Sequence, residues 1–169
     1  MKRDQYLELP REEMNSLFEF YLRKLQRVDG FWFLGVEQRF GTKEAANINS
    51  EVWGKVGRRD AEAARNMLGV TGVGIPPLIE ALKKTFMAFA DWEIEQVSDT
   101  HAVFRVTTCY PQKARIEKGK PLYNCRSSEE AFFKGYSQGI DPRFTVRCGF
   151  CPVDKYFDDL WCEWHFFLE

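Results

Sequence analysis

Residues 91–109 read DWEIEQVSDTHAVFRVTTC and mark the place where the spacing of apolar side chains changes along the chain. Apolar and polar residues roughly alternate over 92–97 and again over 101–109, which is the pattern of half-buried β-strands. Residues 98–100, Ser-Asp-Thr, favour a turn between the two runs. This stretch therefore predicts a β-hairpin, with a layer of helices before it.

The residues before the hairpin carry apolar side chains at steps of three and four, which is typical of amphipathic helices. Asp29 and Gly30 interrupt the first run, Gly41 ends the second, and Ser50 is placed to cap the third. The expected helices, about four, cover residues 10–28, 31–40, 50–68 and 76–89.

The residues after the hairpin predict a helix between two pairs of strands. Residues 110–124 form a long connection rich in lysine, proline and glycine. Ser127 and Glu130 have the capping-box spacing for a helix to about residue 138. The last two strands are expected at 143–150 and 160–168.

The predicted fold class is α+β, with N-terminal helices packed on a C-terminal, antiparallel-rich ββαββ sheet. With 169 residues, 15% of them aromatic, the chain is expected to form a single domain, residues 1–169. Its helical layer spans 1–90 and its ββαββ layer spans 91–169.

The charge and the N-terminal sequence exclude several classes of partner. The net charge of -1 is too balanced to attract nucleic acid or a membrane surface by bulk charge alone. The first residues lack the apolar run of a secretory signal. We therefore predict a cytoplasmic protein with no nucleic acid and no membrane as partner.

The five cysteines are predicted to converge at one edge of the sheet. In the ββαββ order, the second strand ends, the helix begins, the third strand ends and the fourth begins at that same edge. The residues placed there are Cys109, Cys125, Cys148, Cys151 and Cys162.

The spacing of these thiols favours a metal site. Cys148 and Cys151 form a CxxC pair, and Cys109 and Cys125 complete four thiolate ligands. Zinc is the favoured metal and an iron-sulfur cluster is less favoured. Plain buried thiols and a reactive thiol remain alternatives, and Cys162 belongs either to the core or to the site.

A thiol hydrolase is the second interpretation of the same residues. Cys125 precedes a predicted helix N-terminus and adjoins Arg126, which favours its thiolate as nucleophile. Glu37 and Asp60 lie on apolar helix faces, so each needs an ion pair or serves as general base. The cations considered for such pairs are Arg39, Arg58 and Arg59.

Four basic residues in the 110–124 connection have two interpretations. They attract an anionic small molecule to the cysteine edge, or they belong to a solvated loop. They are Lys113, Arg115, Lys118 and Lys120.

Three stretches carry a resemblance that covers most of the chain. They are FWFLGVEQRFG (31–41), AANINSEVWGKVG (45–57) and RCGFCPVDKYFDDLWCEWHF (147–166), and they resemble a family of uncharacterised cytosolic proteins from bacteria and archaea. More distantly, Cys162 and Phe166 with the other single cysteines are similar to the L-2-amino-thiazoline-4-carboxylic acid hydrolase family and the 4-vinyl reductase ligand-binding domain. These resemblances imply a small-molecule pocket between helices and sheet, and hydrolysis of a small cyclic substrate.

The leading predicted function is therefore a cytosolic protein that binds a small molecule and holds a metal, zinc or iron-sulfur, at its cysteine-rich edge. The alternatives are a thiol-dependent hydrolase of a small cyclic substrate and a protein-interaction module whose helices form a homodimer.

Overall fold

The computed structural model describes residues 8–86, 88–154 and 159–169, which contain five helices and four strands. The helices are α1 (Arg11–Phe40), α2 (Thr42–Leu68), α3 (Ile75–Thr85), α4 (Tyr110–Glu117) and α5 (Arg126–Ile140). The strands are β1 (Ala90–Ser98), β2 (His101–Cys109), β3 (Phe144–Phe150) and β4 (Cys162–Leu168). The predicted α+β class is confirmed.

The four strands form one antiparallel sheet in the order β1-β2-β4-β3. β1 and β2 are the predicted hairpin, and Phe104 of β2 lies opposite Ile94 on one side and Trp164 on the other. The inward-facing residues alternate with half-exposed ones along β4, as its sequence predicts. This face of the sheet carries the core.

Helix α5 packs between the sheet and α2. The ring of Phe133 lies 5.0–5.4 Å from the rings of Phe104, Trp164 and Phe166 on the sheet. On its other side, α5 approaches α2 through small residues. A Cβ atom on Gly57 would lie 2.3 Å from the carbonyl oxygen of Phe132. The two helix backbones are therefore in direct contact.

The predicted break at Asp29 and Gly30 is wrong, because α1 is continuous over 30 residues. Both residues are weak helix formers, but neither prevents helical backbone geometry, and a helix already formed on both sides propagates through them. Asp29 also accepts a hydrogen bond from Trp53, which holds this turn against α2. The reversal comes at Gly41, whose φ of 85° allows α2 to begin at Thr42 instead of Ser50.

The 110–124 connection is also different from its prediction, because its first part forms α4. Pro111 lies in the first turn of this helix, where the missing N–H is no disadvantage. The capping box of α5 is not formed: the helix begins at Arg126, and Cys125 occupies the N-cap position without a side-chain cap. Ser127, the predicted cap, lies inside the helix, where its carbonyl oxygen accepts a hydrogen bond from Ser50.

No helix in the described ranges is long and apolar enough to cross a membrane. The single domain and the cytoplasmic location stay predictions.

Candidate functional site

A cleft of about 560 Å³ lies between α1 and α2 and reaches the end of α3 and the inner face of α5. Its walls are mostly apolar. Six aromatic side chains line it: Trp32, Phe33, Trp53, Phe86, Phe89 and Phe132. Helix periodicity explains this wall, because residues 29, 32, 33 and 36 share one face of α1, and 49, 52, 53, 56 and 60 share one face of α2.

The cleft contains few polar side chains, and none of its described lining residues is basic. Its polar groups are Asp29, Asn49, Asp60 and Thr85. Burial raises the pKa of Asp29, and the hydrogen bond from Trp53 opposes that rise only in part. Burial alone raises the pKa of Asp60. The cleft therefore holds two carboxyl groups whose charged forms are destabilised.

Glu37, the other predicted base, lies outside the cleft and is tied into an ion-pair cluster. Its carboxylate accepts hydrogen bonds from Arg115 Nη2 at 2.8 Å, Lys120 Nζ at 3.1 Å and Thr42 Oγ1 at 2.9 Å. The bond from Arg115 is the main reason that the pKa of Glu37 falls to about 2. Its two cationic partners, Arg115 and Lys120, come from α4 and the segment after it, so Glu37 does not form the ion pair predicted with Arg39, Arg58 or Arg59.

A smaller pocket of about 270 Å³, here called the basic pocket, lies between α1 and α4. Four cationic side chains line it, together with Asp29, which it shares with the cleft. The cations are Arg27, Arg115, Lys118 and Lys120. Three of the four basic residues of the predicted connection, Arg115, Lys118 and Lys120, thus line this pocket, and Arg115 is buried.

The five cysteines gather at the sheet edge that the topology predicts. The Sγ atoms of Cys148 and Cys151 lie 3.2 Å apart, and Cys151 also hydrogen bonds with Cys125. Cys125 in turn accepts a hydrogen bond from Gln112 Nε2 at 3.7 Å. Cys109 and Cys162 lie close enough for electrostatic interaction with Cys125. All five are free thiols.

These thiols differ in how strongly they hold their protons. Burial raises the pKa of Cys109 and of Cys162. The hydrogen bond from Cys151 lowers the pKa of Cys148, and the positive charge of Arg126 lowers it further. Of these three, Cys148 is the one whose thiolate is favoured.

The metal and catalytic assignments stay predictions. Within the described ranges, no three His, Cys, Asp or Glu side chains are grouped to hold a metal ion, so the zinc or iron-sulfur site at Cys109, Cys125, Cys148 and Cys151 gains no support. In the described part of the chain, no hydrogen bond joins Cys125 to Glu37 or to Asp60, the two proposed bases. Glu37 is occupied by Arg115 and Lys120, and Asp60 lines the cleft.

Glu129 on α5 is a further titratable group, and its side chain is half-buried. Burial, and to a smaller extent the negative charge of Asp29, raise its pKa to about 7. Its charge in turn raises the pKa values of Cys109 and Cys162. Glu129 thus lies between the cleft and the cysteine edge.

The sequence of this chain matches one protein family over nearly its whole length. The profile of a family of unknown function, DUF6125, matches residues 7–168. The chain belongs to DUF6125. The predicted membership of a family without an assigned reaction is confirmed, whereas the similarity to L-2-amino-thiazoline-4-carboxylic acid hydrolases and the 4-vinyl reductase domain stays a prediction.

Comparisons outside DUF6125 concern the fold. No curated protein sequence matches this DUF6125 chain significantly. Among solved structures, it is similar to the phenol-responsive sensory domain of the transcription activator PoxR, crystallised with phenol. The TM-score is 0.57 and the identity 16%, over 82% of this chain and 72% of that one. At this identity the likeness shows a shared fold alone.

Sequence reasoning missed two acids, Asp29 and Glu129, that the structure of this DUF6125 member makes half-buried. Asp29 was assigned to a helix break, although it precedes Trp32 and Phe33 by three and four positions on one helix face. Glu129 likewise precedes Phe132 and Phe133 by three and four positions, whereas the predicted capping box uses Glu130. An acid three or four positions before two aromatic residues was the available signal.

The raised pKa of Glu129 predicts a pH-dependent loss of stability. The group binds its proton more tightly when folded, so its contribution is complete below about pH 4.5 and is lost as pH rises through about 7. The loss is up to about 3 kcal/mol of unfolding free energy. Glu129→Gln should remove this dependence, as measured by urea unfolding at pH 5 and pH 8.

Glu130→Gln is the matched control, because Glu130 is the exposed neighbour on the same helix. It should keep the wild-type difference between the two pH values. If Glu129→Gln also kept that difference, the carboxyl of Glu129 would not be the group that titrates.

Proposed function

We propose that this chain binds a small, mainly apolar molecule in the cleft between α1 and α2. The observation that carries the proposal is the size of the cleft, about 560 Å³, together with its aromatic walls. Ligand sites for small molecules commonly have volumes of about 300–1,000 Å³, with apolar walls and few polar groups. The cleft has both properties.

The polar groups of the cleft restrict the charge of this ligand. An anionic ligand would meet Asp29 and Asp60 without a basic side chain from the described lining to balance it. A neutral hydroxyl group can donate to Asn49 or to a carboxylate, and an amine can pair with either aspartate. An aromatic ring with a hydroxyl or amino substituent therefore suits the cleft best.

The fold comparison supports the same ligand class. The similar PoxR domain responds to phenol, a single aromatic ring with one hydroxyl group. This support is an analogy of fold, and the size and aromatic walls of the cleft carry the proposal.

Blocking the cleft is expected to abolish this binding. Val52 is half exposed on α2 and lines the cleft, so Val52→Phe would fill part of it without burying a polar group. We expect phenol or 2-phenylethylamine to bind the wild type saturably, and Val52→Phe to weaken binding at least about tenfold. Isothermal titration calorimetry with ligand-observed NMR measures both.

Met67→Phe is the control, since Met67 is exposed on the same helix but does not line the cleft. It should bind the probes as the wild type does. The proposal is wrong if neither probe binds the wild type, or if the two variants lose affinity equally.

The alternative functions stay predictions. The thiol hydrolase, with Cys125 as nucleophile and Glu37 or Asp60 as base, would act on a small cyclic substrate. The helix-mediated homodimer is favoured by α1, which has no fully buried residue and exposes Phe31 at 68% and Trp32 at 73%.

A further inference from the structure

We infer that the basic pocket between α1 and α4 is a second binding site, which takes the carboxylate of a small aromatic acid. This inference does not depend on the proposed function of the cleft. The two cavities share Asp29, Phe33 and Phe89, but the charges on their walls are opposite. They therefore select different ligands.

The first argument is the balance of charge. Arg27, Arg115, Lys118 and Lys120 line the basic pocket, and the only acid among its described lining residues is Asp29. Burial disfavours the charged form of that acid. Glu37 pairs with both Arg115 and Lys120, so one carboxylate serves two cations. The pocket lacks at least one negative charge.

The second argument is the hydrogen bonding of Arg115. Its side chain is only 7% exposed, its Nε donates to the carbonyl oxygen of Pro121 at 2.8 Å, and its Nη2 donates to Glu37 at 2.8 Å. Its Nη1 is buried and has no hydrogen-bond partner among the described residues. Buried donors are almost always paired, and a carboxylate is the usual partner of a guanidinium fork. The carboxylate of a bound ligand would supply the missing hydrogen-bond acceptor for Nη1 of Arg115.

The third argument is the aromatic wall beside this donor. The guanidinium carbon of Arg115 lies 5.3 Å from the ring centroid of Tyr123 and 5.9 Å from that of Phe33. Phe31 and Tyr110 also line the pocket. An aromatic ring can pack against these side chains while its carboxylate reaches Arg115. The volume of about 270 Å³ suits a single ring with one acidic group.

Benzoate and its neutral analogue benzamide test this assignment by isothermal titration calorimetry. We expect benzoate to bind saturably and benzamide at least about tenfold more weakly, because only benzoate supplies the charge. Lys118→Gln, in the pocket wall, should weaken benzoate about threefold to tenfold. Lys113→Gln is the matched control, because Lys113 is exposed on α4, whose C-cap is Lys118, and does not line the pocket.

Variants of Arg115 test the role of the guanidinium. Arg115→Lys keeps the charge but loses the planar fork, and it should weaken benzoate about tenfold. Arg115→Gln alone would leave Glu37 buried without its main partner and risks unfolding. The double variant Glu37→Gln with Arg115→Gln removes both charges together, and it should fold and lose benzoate binding. Circular dichroism checks the fold of each variant.

The inference is wrong if benzoate and benzamide bind equally, if Lys118→Gln and Lys113→Gln lose affinity equally, or if the folded double variant keeps full affinity. Inorganic phosphate binding as tightly as benzoate would replace the aromatic acid by a simple anion and reject the assignment. Lys118→Gln should bind phenol like the wild type, so failure at this pocket is distinguishable from failure at the cleft.

Discussion

Replacing Gly57 with alanine is expected to lower the free energy of unfolding by about 3 kcal/mol or more. The added Cβ would lie 2.3 Å from the carbonyl oxygen of Phe132 and 3.0 Å from its carbonyl carbon. Both are backbone atoms of α5, so no side chain can rotate away and the two helices must separate. Separation would open the core beneath Phe132, which is only 3% exposed. Urea unfolding followed by circular dichroism gives the free energy.

Gly30→Ala is expected to change the free energy of unfolding in the opposite direction, by stabilising the protein. Gly30 lies inside α1, and a Cβ there would meet no atom within 4 Å. Alanine stabilises an exposed helix position by about 0.5–1 kcal/mol relative to glycine. If Gly57→Ala were neutral or stabilising like Gly30→Ala, α2 and α5 would not be in backbone contact at this point.

Replacing Glu37 with glutamine is expected to lower the free energy of unfolding at pH 7 by about 3 kcal/mol. The carboxylate is 8% exposed and its partner Arg115 is 7% exposed. Removing one member of such a pair leaves the other charge buried without compensation, which is more destabilising than the loss of a surface pair. Lys120 is 42% exposed and can turn to water, so Arg115 carries most of the effect.

The pH dependence of stability gives an independent measure of the same pair. Folding lowers the pKa of Glu37 from 4.5 to about 2, so its contribution is present above about pH 4.5 and is lost as pH falls towards 2. The free energy of unfolding of the wild type should therefore fall by up to about 3 kcal/mol over this range because of Glu37. Glu37→Gln should lack this contribution to the fall.

Glu19→Gln is the comparison for a surface pair on the same helix. Glu19 and Arg23 are 65% and 70% exposed, so this change should alter stability by about 0.5 kcal/mol or less. If Glu19→Gln and Glu37→Gln changed the free energy of unfolding equally, at pH 7 or in acid, Glu37 and Arg115 would not form a buried ion pair.

The accuracy of the sequence prediction depended on whether a signal was local. Alternation over 92–97 and 101–109 identified the hairpin, because the core residues Ala102, Phe104 and Val106 of β2 are spaced two positions apart. The sheet edge at which the cysteines meet could be predicted from the order and direction of the strands and the helix alone. The break at Asp29 and Gly30 was wrong because propensities near 1 kcal/mol per residue are overridden by packing over a long helix.

The candidate site was only partly accessible to the same reasoning. Asp60 was correctly placed on the apolar stripe of α2, which now forms a wall of the cleft. The sequence does not predict the cation that pairs with Glu37, because Arg115 lies 78 residues further along the chain, on a helix where the sequence predicts a connection. Nothing near Arg115 in sequence indicates that it is buried.

The strands, the amphipathic faces of the helices and the α+β class could be predicted from the sequence, since these depend on spacings within a few residues. The half-buried positions of Asp29 and Glu129, the burial of Arg115 and the contact between α2 and α5 at Gly57 became apparent only from the folded chain. The reason is physical: the environment of a charge or a missing Cβ is set by segments that are distant in the chain and meet only when it folds.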